Sequence, residues 1–278
     1  MLDATIGRRK RQLPTTWNEL TRRQLLDFAR LAGQPFATDI EQRHALLRLL
    51  LQVPARVIRQ LTPVQRVSLS GYTHFLREPR AYGPLTKQLL PWIACSRFLP
   101  WARALFGGLD DYARLLFGPL DNFRNLRFAE FIFADTYFLR YLQCGYDEQQ
   151  LDNLVAVLYR PQRRGYNPTA PDYQGDRRQD FNEHHVAARA ALIGRRVPHH
   201  VKWAVLLWYQ GCRQSLERTF PYVFTEGNTA SASTSGWTEV LHTLADGVHR
   251  LDATAQQPLK TVLREMNLQL RRAEERAE

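Results

Sequence analysis

Residues 127–141 read Arg127-Phe128-Ala129-Glu130-Phe131-Ile132-Phe133-Ala134-Asp135-Thr136-Tyr137-Phe138-Leu139-Arg140-Tyr141. Phe128, Phe131, Ile132, Asp135, Phe138 and Leu139 recur at steps of three and four, so on a helix they share one side. A stripe so rich in rings, with one acid inside it, suits a face against the core or, alternatively, a groove for a partner helix. Gly145 ends this helix, and Asp147 can cap the next, which runs through Leu151, Leu154, Val155 and Leu158 to Pro161.

The same signals extend outward in both directions. Thr21-Arg22-Arg23-Gln24 and Thr62-Pro63-Val64-Gln65 have the form of capping boxes, in which the Thr hydroxyl and the Gln amide satisfy free N–H groups at a helix start. The first opens a helix carrying Leu25, Phe28, Ala29 and Ala32 and stopped at Gly33. The second opens one expected to reach Leu76. Between them, Asp39–Val53 reads as a helix rich in leucine. Further on, helices are expected over Phe181–Ile193, His199–Thr219, Trp237–Leu251 and Gln257–Glu275, with a short one from Asp110 to Phe117. Residues 77–108 are broken by Pro and Gly, and a small hairpin is expected near Tyr82–Leu90. The fold class that follows is all-α, an irregular bundle of roughly ten helices. The main domain spans 1–224. A linker rich in Ser, Thr and Gly covers 225–236, and a closing helical pair covers 237–278.

The chain has 278 residues, 44% of them hydrophobic, enough to fold without disulfides or metals. Its formal net charge is +11, which favours acidic partners and nucleic acid at low salt. Lysine stands only at Lys10, Lys87, Lys202 and Lys260, so the positive charge is almost all arginine. Codon bias explains that excess as well as phosphate or carboxylate recognition does. Cys95, Cys144 and Cys212 are odd in number and lie far apart, which suits buried thiols in a reducing compartment. The start carries Arg8, Arg9, Lys10 and Arg11 with no apolar stretch behind them, so no secretory signal is read. The most apolar run, Trp203–Tyr209, is far shorter than the roughly 18 residues a membrane helix needs. A cytoplasmic location is expected.

Catalytic motifs are absent: there is no phosphate loop, no Gly-x-Gly-x-x-Gly, no Gly-x-Ser-x-Gly and no His-Glu-x-x-His. The pairs His184-His185 and His199-His200 are adjacent, and adjacent side chains on a helix point about 100° apart, poorly placed to share an ion. Neither an enzyme, a metal nor a cofactor is expected. Glu130 and Asp135 could do acid–base work if burial raised one pKa, but helix-spaced acids are more often surface residues or partners in internal ion pairs, here with Arg127 or Arg140. The strongest candidate site is the loop 161–178 with its flank, where Arg160, Arg163, Arg164, Tyr166, Tyr173, Arg177 and Arg178 interleave cations and rings. Long loops in compact domains are usually functional or mobile. This mixture suits a protein contact or, alternatively, nucleic acid, with arginines on phosphates and tyrosines on bases. A solvated loop is the bland alternative. Trp237, Leu241, Leu244, Leu263 and Met266 form a second candidate, a groove for a partner helix, with a plain core face as the bland alternative.

Three segments in this order resemble helical accessory proteins encoded in tail-gene clusters of bacteriophages and prophages. They are Leu13-Pro14-Thr15-Thr16-Trp17-Asn18-Glu19-Leu20-Thr21; Phe128-Ala129-Glu130-Phe131-Ile132 leading into Leu154–Pro161; and Trp237-Thr238-Glu239-Val240-Leu241. The resemblance implies a part in tail assembly, as a chaperone-like or structural partner of tail proteins, remaining in the bacterial cytoplasm or joining the virion.

Overall fold

The computed structural model describes residues 1–6, 9–77, 83–95, 115–171, 173, 175–224, 237 and 251–276. The fold is all-α, with two small two-stranded sheets among the described residues. Strands β1 (Leu2–Ile6) and β2 (Arg9–Leu13) form an antiparallel hairpin that pairs Leu2 with Leu13. Sequence reasoning missed it, because charges rather than an apolar alternation occupy Arg9–Arg11.

Helix α1 (Arg22–Ala32) starts at the capping box expected at Thr21 and Gln24. The Gln24 amide also donates 2.7 Å to the Leu50 carbonyl, which ties α1 to α2 (Asp39–Leu51). Gln52 ends α2 in the left-handed region. Pro54 then leads into α3 (Ala55–Gln60), a turn and a half with no sequence signal of its own. Helix α4 (Pro63–Ser70) has the second capping box. It stops short of Leu76, giving way to a 3-10 turn at Gly71–Thr73 and α5 (His74–Arg77). The cause is local. Ser70 Oγ and Thr73 Oγ1 donate to the carbonyls of Val67 and Ser70, a competition that bends helices, and Gly71 adds a weak helix former.

The hairpin expected near Tyr82–Leu90 is not formed among the described residues there. The backbone there pairs with a side chain instead: Asn18 Oδ1 accepts from the amides of Thr86 and Lys87, both at 2.9 Å. The sheet lies later, between β3 (Trp92–Ala94) and β4 (Leu115–Phe117). The short helix expected to end at Phe117 is therefore a strand over its last three residues, and 110–114 lie outside the described residues.

Helix α6 (Phe128–Gln143) carries the aromatic stripe and buries Phe128, Phe131, Ile132, Asp135 and Phe138. Helix α7 (Glu148–Leu158) packs against it, and α8 (Val186–Arg196) and α9 (His199–Thr219) also lie on α7. Leu154 through Tyr159 are all fully buried, so α7 is apolar on every side over its last turn, as a helix at the centre of a bundle must be. Each such Val or Leu contributes about 1.5–3 kcal/mol. Gly211 lets α9 approach the backbone of Leu85, whose carbonyl oxygen would lie 2.3 Å from any added Cβ. No helix among the described residues is long and apolar enough to cross a membrane.

The closing segment is bonded to the body. The amide of Leu259 donates to Leu126 O at 2.9 Å, and the amide of Phe128 to Gln257 O at 3.0 Å. A short helix α10 (Leu251–Ala255) precedes α11 (Leu259–Glu274), and α11 packs on α6.

Candidate functional site

The long connection after α7 is a clamped hairpin. Its first leg leaves the core at Tyr159, whose backbone turns extended. Arg160 then adds to the edge of β4: Phe117 N donates to Arg160 O at 2.7 Å, and Arg160 N to Phe117 O at 3.0 Å. The legs meet where Arg163 N donates to Arg177 O and Gln179 N to Pro161 O, each at 2.9 Å. Beyond that point Gly165 takes a φ of 67°, which a residue with a Cβ adopts only at a cost, and Tyr166 N closes the turn onto Arg163 O.

A buried ionic cluster holds the base of this hairpin. Glu130, on α6, accepts from Arg160 Nη2 at Oε1 and from Arg178 Nη2 at Oε2, both at 3.0 Å. Arg178 also grips Asp176 through Nε and Nη2, at 2.9 and 2.7 Å, and donates to the carbonyl of Leu158 at 3.0 Å. Burial weighs against the Arg178 charge, yet Glu130 and Asp176 outweigh it and raise its pKa. Asp176 is pushed below its ordinary value, because the hydrogen bonds and charge of Arg178 overcome its own burial. Arg189, on α8, donates 2.6 Å to Ala156 O. Burial, and secondarily the charge of Arg160, lower its pKa to about 10. Burial lowers the pKa of Arg160 too, and its Nε and Nη1 have no partner among the described residues.

The sequence candidates thus divide. Arg160 and Arg178, both about 1% exposed, are not available as surface contacts; they anchor the loop. Arg163, Arg164 and Tyr173 are exposed, and Tyr166 and Arg177 partly so. The Arg177 guanidinium lies 3.8 Å from the ring centre of Phe117 and 5.2 Å from that of Tyr166, and the Tyr166 and Tyr173 rings meet edge-on at 5.6 Å. Arg163 pairs with Asp180. The tip is therefore a small platform of rings and cations, stacked on itself and fixed to the body from below.

Asp135 organises a second buried cluster. It accepts from Tyr209 Oη at 3.1 Å, Arg213 Nε at 2.7 Å and Trp237 Nε1 at 2.8 Å. Arg213 also pairs with Glu217. Burial and the Asp135 charge push the Tyr209 pKa well up, so the phenol stays a donor. Trp237 sits among Phe128, Phe131 and Phe224 and is 4% exposed, while Leu263 is 0% and Met266 7% exposed. As a groove for a partner helix these three are corrected: their own core already covers them. Leu241 and Leu244 lie outside the described residues.

Among the described residues, no three His, Cys, Asp or Glu side chains gather as metal ligands would. Cys95 and Cys212 are buried and Cys144 exposed; burial raises the Cys212 pKa, which leaves a thiol rather than a nucleophilic thiolate.

No protein-family model, curated protein or solved structure matches this chain.

Glu130 and Asp135 are internal ion-pair partners, one of the readings their sequence left open, but of other cations than Arg127 and Arg140. Glu130 meets Arg160 and Arg178, and Asp135 meets Arg213. The acid on the apolar stripe was the legible half of each pair. The cation came from a segment far along the chain, which helical spacing does not reach.

Proposed function

We propose that this chain works without catalysis, by binding a protein partner, with the hairpin 160–178 as its contact element. Its setting is the assembly of a bacteriophage or prophage tail, or a tail-like particle, in the cytoplasm of a bacterial host. The observation that carries the contact element is the buried clamp. A connection of this length would normally lose much entropy on binding, whereas one held in place beforehand loses little. The clamp presents exposed Tyr173 and Arg164 beside Tyr166 and Arg163, and Tyr and Arg are the side chains on which interface energy concentrates. The net charge of +11 favours a partner with an acidic face. The setting rests on the resemblance of Leu13–Thr21, Phe128–Ile132 with Leu154–Pro161, and Trp237–Leu241.

The experiment is an affinity pull-down of the tagged chain from its native cells, with and without nuclease. It is run beside the triple variant Arg164→Ala, Tyr166→Ala, Tyr173→Ala. Tail-type proteins should be retained with or without nuclease by the wild type and lost from the variant. Recovery that vanishes with nuclease, together with steep salt dependence, would transfer the hairpin to nucleic acid. Undiminished recovery by the variant would remove it from the interface.

A further inference from the structure

A groove of about 540 Å3 runs between α1 and α2. Leu31, Ala45, Leu49 and Val53 make it apolar within, and Arg23, Arg30 and Arg48 stand around it. Among the described residues, Asp27 is the one carboxylate lining it, and it is already taken by Arg30 at 2.6 Å and Arg23 at 3.8 Å. Arg48 is exposed and enters no ion pair among the described residues. The groove shares no residue with the hairpin.

Its chemistry selects the occupant. Single-stranded nucleic acid binds by stacking bases on aromatic rings along a basic track, and none of the described residues that line the groove is aromatic. Leucine, alanine and valine between two helices, flanked by cations, complement a helix whose narrow apolar stripe is flanked by carboxylates. The cations would speed encounter and fix orientation, and the apolar contacts would supply most of the affinity. We propose that the α1–α2 groove docks an amphipathic helix of a partner protein, with Leu-type anchors one helical turn apart and Asp or Glu on both sides of them.

Fluorescence anisotropy on the full chain tests this. The probe is a labelled helical peptide of about five turns, with Leu at i, i+3 and i+7 and Glu flanking them. A Lys-flanked twin and a labelled single-stranded oligonucleotide run alongside. The acidic peptide should bind, and the twin should not. Affinity should fall at least tenfold in Arg48→Glu and in Ala45→Glu, with circular dichroism and Tm confirming that both variants fold. Arg272→Glu makes the same charge change on the exposed end of α11 and should leave binding within twofold. Equal binding of the twin, indifference to Arg48→Glu and Ala45→Glu, or an equal loss in Arg272→Glu would overturn the proposal. So would displacement of the peptide by the oligonucleotide at comparable concentration, which would assign the groove to nucleic acid.

Discussion

Arg163 and Arg178 lie on opposite legs of one hairpin, yet losing each should cost very different amounts. Arg178→Met leaves Glu130 and Asp176 short of a buried cation, a loss of about 3–5 kcal/mol. Arg163→Met breaks an exposed pair with Asp180, where the loss is at most about 1 kcal/mol. Arg189 is the informative third case. Its guanidinium is buried near another cation, but it donates to the buried carbonyl of Ala156, so Arg189→Met leaves that acceptor unpaired and should cost about 1–3 kcal/mol, less than Arg178→Met. Thermal unfolding of the three variants checks the order; an Arg189→Met loss as large as that of Arg178→Met would contradict it. The same cluster sets an acid limit. Asp176 has a folded pKa below its ordinary 3.8. Its contribution is therefore complete above that value and is lost as pH falls through the lower, folded pKa. Tm should hold between about pH 5 and 7 and decline below about pH 4, less steeply in Asp176→Asn than in the wild type.

At the scale of elements, local chemistry was legible and long-range chemistry was not. The capping boxes at Thr21 and Thr62, the stop at Gly145 and the stripe on α6 are signals within a few residues of each other, and the elements formed there. The hairpin of β1 and β2 carries charge where alternation should be, and the sheet of β3 and β4 joins segments separated by more than twenty residues. Neither has a local signature. The candidate site divided in the same way. The Tyr and Arg content of 160–178 drew notice, but only the position of Glu130 beneath the loop decides which arginines face inward. The apolar neighbours of Trp237 in sequence form a helical pattern that suits a partner groove or a core face alike; in space Asp135 and three phenylalanines enclose it. Close approach of α9 to residues 84–86 gives a direct check on this packing. Gly211→Ala places a methyl group against the Leu85 backbone, where nothing flexible can yield. The substitution should lower stability by about 1–3 kcal/mol despite the better helix propensity of Ala. A stabilised Gly211→Ala would show the helix to sit farther from that segment.

Across the whole molecule, one pattern connects the parts. Acids on α6 collect cations from distant segments: Glu130 from the hairpin and Asp135 from α9, with Trp237 donating to it as well. The helical body thereby fixes both the candidate contact element and the closing segment, and leaves exposed the Tyr and Arg side chains that a partner would meet. What most directly tests the claim of a preformed contact element is hydrogen exchange at the hairpin, in the wild type and in Arg178→Met. In the wild type, the amides of Arg160, Arg163 and Gln179 should exchange slowly without any partner present. In Arg178→Met they should become fast while α6 and α7 stay protected. Fast exchange at these amides in the wild type would contradict the clamp and leave the hairpin to order only on binding.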